Sequence, residues 1–171
     1  MKRDLVKGAA GGAFATAVMS VVMLAGTRAG LMPDQPPKRI ARAFLPGYKH
    51  RPKQGEGVLG AVTHFGFGSG CGALLALASG GRRVPVALGA AYGLAIWVVS
   101  YQGWVPGLGI LPPISRDRPG RPAVMAAGHV VYGTMLALAV NRLRAAPQDG
   151  PGTGGGDPGE RRPGAAETSV S

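Results

Sequence analysis

Two histidines, His64 and His129, stand inside otherwise uncharged, apolar stretches of the chain. An imidazole titrates near neutral pH, ligates metals or haem through a neutral ring nitrogen, and can relay a proton. An ionisable ring inside hydrocarbon is a functional-site candidate by default. His64 lies seven residues after Gly57, and His129 seven after Pro122, each a step of about 10 Å along a helix. Between the two runs "SYQGWVPGLGILPPISRDRPGRP", from Ser100 to Pro122. Tyr101 and Trp104 offer rings suited to the headgroup layer of a bilayer. Arg116, Arg118 and Arg121 offer forked guanidinium groups that clamp phosphate, and Asp117 can pair with one of them to hold the turn shut.

These residues suggest three uses for the histidines: ligating a metal or haem, passing protons, or binding a polar headgroup. The plainer use is one cross-helix hydrogen bond each, worth about 0.6 to 2 kcal/mol. No third metal ligand accompanies them: Cys71 is the only cysteine, and no apolar block contains Asp or Glu. A structural zinc site is therefore not expected, and a metal, if any, falls to His64 and His129. Asp117 beside His129 could act as a base, but no recognisable nucleophile accompanies it. No catalytic residue and no cofactor is expected. Cys71 reads as a small buried side chain. His50, between Lys49 and Arg51, is assigned no role.

The elements that must position these residues are four apolar blocks, read as spans at about 8–28, 57–79, 84–104 and 123–141 within a domain of residues 1–144. A span needs about 20 residues, and in hydrocarbon a single crossing segment pairs its backbone groups only as a helix. The basic leader "MKRDLVK" raises a secretory signal peptide, with a cut after Ala29 conceivable. The first block is long for that and three more follow, so it reads as a retained helix. The fold expected is all-α: a polytopic four-helix transmembrane bundle. "SGGRR" makes the second and third spans an antiparallel hairpin. Spans two and four then start on one side, which sets His64 and His129 at similar depth in one leaflet. Tyr101 and Trp104, closing the third span, reach that same side.

The connections supply the remaining expectations. "PPKRIARAFL" can form a short interfacial helix with Pro37 near its start, with Ile40, Ala43 and Phe44 on one face and Lys38, Arg39 and Arg42 mostly elsewhere. "VPGLGILPP" cannot continue a regular helix and reads as a piece dipping into the interface. Glycines four apart (Gly8 with Gly12, Gly66 with Gly70, Gly68 with Gly72, Gly89 with Gly93) allow close helix approach. Gly66 to Gly72 on both sides of the second span suggest a central position for it. Gly89, Gly93, Trp97 and Tyr101 form one stripe, read as a packing seam ending in interfacial aromatics. After Arg144 the tail, residues 145–171, has almost no bulky apolar side chain and is expected to be disordered.

The formal net charge of +11 could suggest nucleic acid. However, the basic residues are scattered over both ends and all three connections, and no run of interleaved bases and aromatics suits strand binding. Basic flanks of apolar spans suit lipid phosphates, and no nucleic-acid partner is expected. Seven lie near the spans on one side and ten on the other, so the count leans to cytoplasmic first and third connections, while the basic leader pulls the opposite way and leaves sidedness open.

"WVVSYQGWVPGLGILPPISRDRPGRP" followed by "AGHVVYG", with "PPKRIARAFL" and "THFGFGSG", resembles the YagU-like group of small four-helix bacterial inner-membrane proteins, over Met1 to Arg144. That group is of unknown function, so the resemblance implies a multi-pass inner-membrane fold and transfers no catalytic residue. High Ala, Gly, Arg and Pro content suits a GC-rich bacterial genome. The expectation is a non-enzymatic membrane protein whose partners are the bilayer, anionic headgroups, a membrane protein or a second copy. His64, Tyr101, Trp104, Arg116, Asp117, Arg118, Arg121 and His129 form its site. The alternatives are a metal, haem or proton-relay site on the histidines, or a small oligomeric transporter.

Overall fold

The computed structural model describes residues 1–32, 34–48 and 51–146. The expected disordered tail from 147 onward and His50 lie outside the described residues. Within them the chain is helical and has no strand. The helices are α1 (Lys2–Arg28), α2 (Pro36–Phe44), α3 (Glu56–Ala78), α4 (Val86–Val98), α5 (Val105–Gly107) and α6 (Arg121–Ala145). A π-helical segment, Val99–Trp104, joins α4 to α5 without a break. Four helical stretches (Lys2–Arg28, Glu56–Ala78, Val86–Gly107 and Arg121–Ala145) are long and apolar enough to cross a membrane.

Their edges differ from the apolar blocks for a physical reason. A helix continues past the hydrocarbon as long as its charged flank has partners. α1 begins six residues before Gly8, where Asp4 accepts hydrogen bonds from Arg144 Nε and Nη2 at 3.2 and 3.1 Å. Arg144 also donates to the Ser79 hydroxyl and to the carbonyls of Arg82 and Ala76. One guanidinium thereby ties the start of α1 and the carbonyl end of α3 to the end of α6. Alongside it, the Asn141 amide pairs with the backbone of Val84, donating to its carbonyl at 2.8 Å and accepting from its N–H at 2.9 Å.

The packing order is α3–α1–α6–α4, with α2 laid against α3. The core consists of Ala15, Met19 and Met23 of α1 with Met125, Tyr132, Leu136, Ala137 and Val140 of α6, joined by residues from the outer helices. The central position expected for the second span therefore belongs to α1 and α6. Of Gly66, Gly68, Gly70 and Gly72, only Gly68 and Gly72 meet a neighbour; a side chain at Gly66 or Gly70 would meet nothing. Gly8 and Gly12 face Gly72 and Gly68 so closely that a Cβ at any of them would collide with backbone or with Thr16. Gly89 and Gly93 of α4 meet Gly133 and the His129 backbone of α6 in the same way. Without a hydrophobic drive between helices in lipid, close backbone contact of this kind holds them together. Two seams result, α1 on α3 and α4 on α6.

The connection after α4 departs from the expected interfacial dip. Gly109 takes a positive φ of 64°, reversing the chain, and Ile110 and Leu111 turn inward and are buried in the core. Of Leu108, Ile110 and Leu111, Leu108 stays exposed.

Candidate functional site

α4 reaches α3 where the Tyr92 hydroxyl donates to the Cys71 carbonyl at 2.9 Å, and between α3 and the end of α4 lies a cleft of about 460 Å³. Leu59, Thr63, His64 and Phe67 of α3 form one side. Ser100, Tyr101, Trp104, Val105 and Leu111 form the other, Met19, Met23, Met125 and His129 the back, and α2 the end toward loops 29–55 and 105–120. The π turn belongs to this geometry, since its wider i→i+5 turn inserts an extra residue and re-aims the side chains that follow it. The volume lies within the range of ligand pockets, and the lining is mostly carbon.

Both histidines reach the cleft, as their matched positions along the second and fourth spans imply, and both line a second cavity of about 20 Å³ behind it with Thr16, Cys71 and Tyr132. His129 Nδ1 stands 2.8 Å from the Met125 carbonyl. A carbonyl only accepts, so Nδ1 carries the proton and Nε2 is left as the acceptor. His64 Nε2 is buried and has no hydrogen-bond partner among the described residues.

The hydroxyl groups around the two cavities are already committed as donors, while Trp104 keeps its indole N–H and Cys71 its thiol at the lining. Thr16, Thr63 and Ser100 donate to carbonyls one turn back, of Gly12, Leu59 and Ile96. The Tyr132 hydroxyl donates to the Gly68 carbonyl at 2.6 Å, and Tyr101 to the Asp117 carboxylate.

That last contact corrects the expectation for Tyr101. It is 2% exposed and stacked on Trp97, with centroids 5.7 Å apart, where a headgroup-level ring was expected. Trp104 remains partly exposed at the mouth of the cleft. Asp117 Oδ1 accepts from the Arg118 N–H at 2.7 Å and from Arg121 Nη1 at 2.6 Å. Asp117 and Arg121 are almost wholly buried, so Arg121 is a structural partner of the turn and not a phosphate clamp. Arg116 and Arg118 are exposed beside it and do not line the cleft.

α2 supplies what residue patterns left out. Arg42, expected away from the apolar face of this helix, is buried and forms a forked pair with Glu56, Nε to Oε2 at 2.7 Å and Nη2 to Oε1 at 2.6 Å. Its Nη1 reaches Asp34 at 3.2 Å. The hydrogen bond to Glu56 raises the Arg42 pKa above the ordinary guanidinium value. Lys53 Nζ donates to the carbonyls of Arg42, Leu45 and Gly47, closing the end of the helix. Arg39 is half-buried, and among the described residues no hydrogen bond or ion pair engages its guanidinium. Burial lowers its pKa first and the positive charge of Arg121 second. The missed residues Pro36, Pro37, Ile40 and Ala41 line the cleft. Their helical spacing was the available signal, but it named no partner for that face.

Among the described residues no group of three or more His, Cys, Asp or Glu could hold a metal ion. An all-helical chain with four membrane-length apolar helices, packed through glycine seams around a lateral cleft, defines the class of polytopic membrane proteins. More particularly, the chain belongs to DUF6789, a family of unknown function whose model matches residues 2–150. No curated protein and no solved structure matches it.

Proposed function

We propose that this protein is a non-enzymatic bacterial inner-membrane protein that binds lipid at the face carrying loops 29–55 and 105–120. The observation that carries the reading is the apolar cleft whose end toward that face is formed by α2, the helix that also carries half-buried Arg39, with Arg116 and Arg118 exposed on the adjoining loop. Hydrocarbon fits the lining, and anionic headgroups fit the arginines, each basic residue near a lipid surface contributing about 1 kcal/mol. The bacterial inner membrane rests on the resemblance to the YagU-like proteins and on composition. A protein partner or a second copy would use the same face.

The Arg116→Gln/Arg118→Gln double variant should lose phosphatidylglycerol retained through detergent purification by about tenfold, read by native mass spectrometry. Retention equal to that of the unaltered protein would count against the reading.

The histidines support a second reading, as a metal, haem or proton-relay site, because both reach one cavity and His129 keeps an acceptor nitrogen. It requires purified protein to carry a metal or a haem absorption band that vanishes in His64→Ala or His129→Ala. Colourless, metal-free protein removes its metal and haem forms.

A further inference from the structure

The polar inventory of the cleft specifies its ligand more narrowly than "lipid". Thr63, Ser100, Tyr101 and His129 Nδ1 each already hold a partner. The unmatched polar positions in the depth of the cleft are His64 Nε2 and, by tautomer, His129 Nε2, while the Trp104 indole N–H stands at the mouth of an otherwise carbon lining. A buried polar atom without a partner costs free energy that a ligand can recover by supplying one. The ligand's own polar group must therefore sit deep, against the imidazoles, and its apolar body must extend outward.

It must also be uncharged. No Asp, Glu, Lys or Arg lines the cleft, so a carboxylate or phosphate taken to the histidines would be an unpaired charge in hydrocarbon. Phe67, Tyr101 and Trp104 line the approach with rings, which suits a flat aromatic or quinoid head. We infer that the cleft takes a quinone or quinol lipid ring-first, with one ring oxygen meeting His64 and His129 and the tail leaving between α3 and α4. The quinone carbonyl accepts from His64 Nε2–H, and the quinol hydroxyl donates to His129 Nε2. Both redox forms of one lipid are thus matched by one imidazole pair, and no electron transfer is invoked. This inference rests on the reading that the cleft holds lipid hydrocarbon and deepens it; anionic headgroups belong to Arg116 and Arg118 outside the cleft.

The test uses the full-length protein in detergent micelles and decylubiquinone as the probe. The two tryptophans, one of them Trp104 in the lining, report binding through quenched fluorescence. Saturable quenching is expected, weakened about tenfold in His64→Leu and within about threefold of normal in His64→Gln, which restores a hydrogen-bonding group. Should His64→Leu not accumulate, Thr63→Phe narrows the same wall from an exposed position and should weaken quenching likewise. Quenching unchanged in the available variants overturns the inference, as does displacement by decanol at equal affinity, which would assign the histidines to any oxygen. Absent quenching with arginine-dependent phosphatidylglycerol retention overturns the quinone assignment alone. Absence of both removes the lipid-binding reading with it.

Discussion

Gly72→Val should abolish the folded bundle in detergent. A Cβ at Gly72 would lie 2.8 Å from the Cα and 2.9 Å from the N of Gly12, and would collide with the Gly8 carbonyl. All three obstacles are backbone of α1, so no rotamer change relieves them and the helices must separate. Overpacking of a fitted core costs about 1 to 3 kcal/mol, and here separation also forfeits the contact that joins α3 to α1, so about 3 kcal/mol or more is expected. The same valine at Gly70, two residues away, meets nothing within 4 Å and should change stability by no more than about 0.5 kcal/mol. Unfolding in mixed micelles of increasing SDS content, followed by helical circular dichroism, separates the two. Equal stability of both variants would mean that the α1–α3 seam is not where the structure puts it.

The contrast between Gly70 and Gly72 also shows where sequence reading stops. A span announces itself through the length of its uncharged run, and all four were legible because the bilayer imposes that length. The common depth of His64 and His129 followed from topology alone. The neighbour of each helix did not, because Gly66, Gly68, Gly70 and Gly72 are chemically alike and only the partner backbone distinguishes them. The Arg42–Glu56 pair was hidden for a similar reason. Its members sit in separate segments, and each alone resembles an ordinary solvated charge at a membrane edge. Tyr101 was placed with headgroups because Trp and Tyr close many spans, yet Asp117 sixteen residues later supplies the acceptor that draws it inward.

Arg42→Ala should release α2 from α3. The side chain holds Glu56 through two parallel hydrogen bonds and Asp34 through a third, and its removal leaves both carboxylates without that cation. Amide exchange across residues 38–44 should rise on the order of tenfold or more, as expected for loss of a forked, charge-assisted pair. Because Pro36, Pro37, Ile40 and Ala41 form one end of the cleft, ligand retention should fall with it while the four long helices stay folded. Arg42→Lys should not restore the native rate, since a point charge cannot reproduce the fork. Unchanged exchange in α2 would show that apolar contact alone holds it.

The two glycine seams carry a consequence for biogenesis. α1 and α3 leave the ribosome in succession as crossing segments and are each other's partners, so the first half of the chain can seal while the second is still being made. α4 has no such welcome: its Gly89 and Gly93 are shaped for α6, which the ribosome has yet to deliver. During that interval a grooved, half-matched helix stands in the lipid, and insertion factors that shelter such helices would act there.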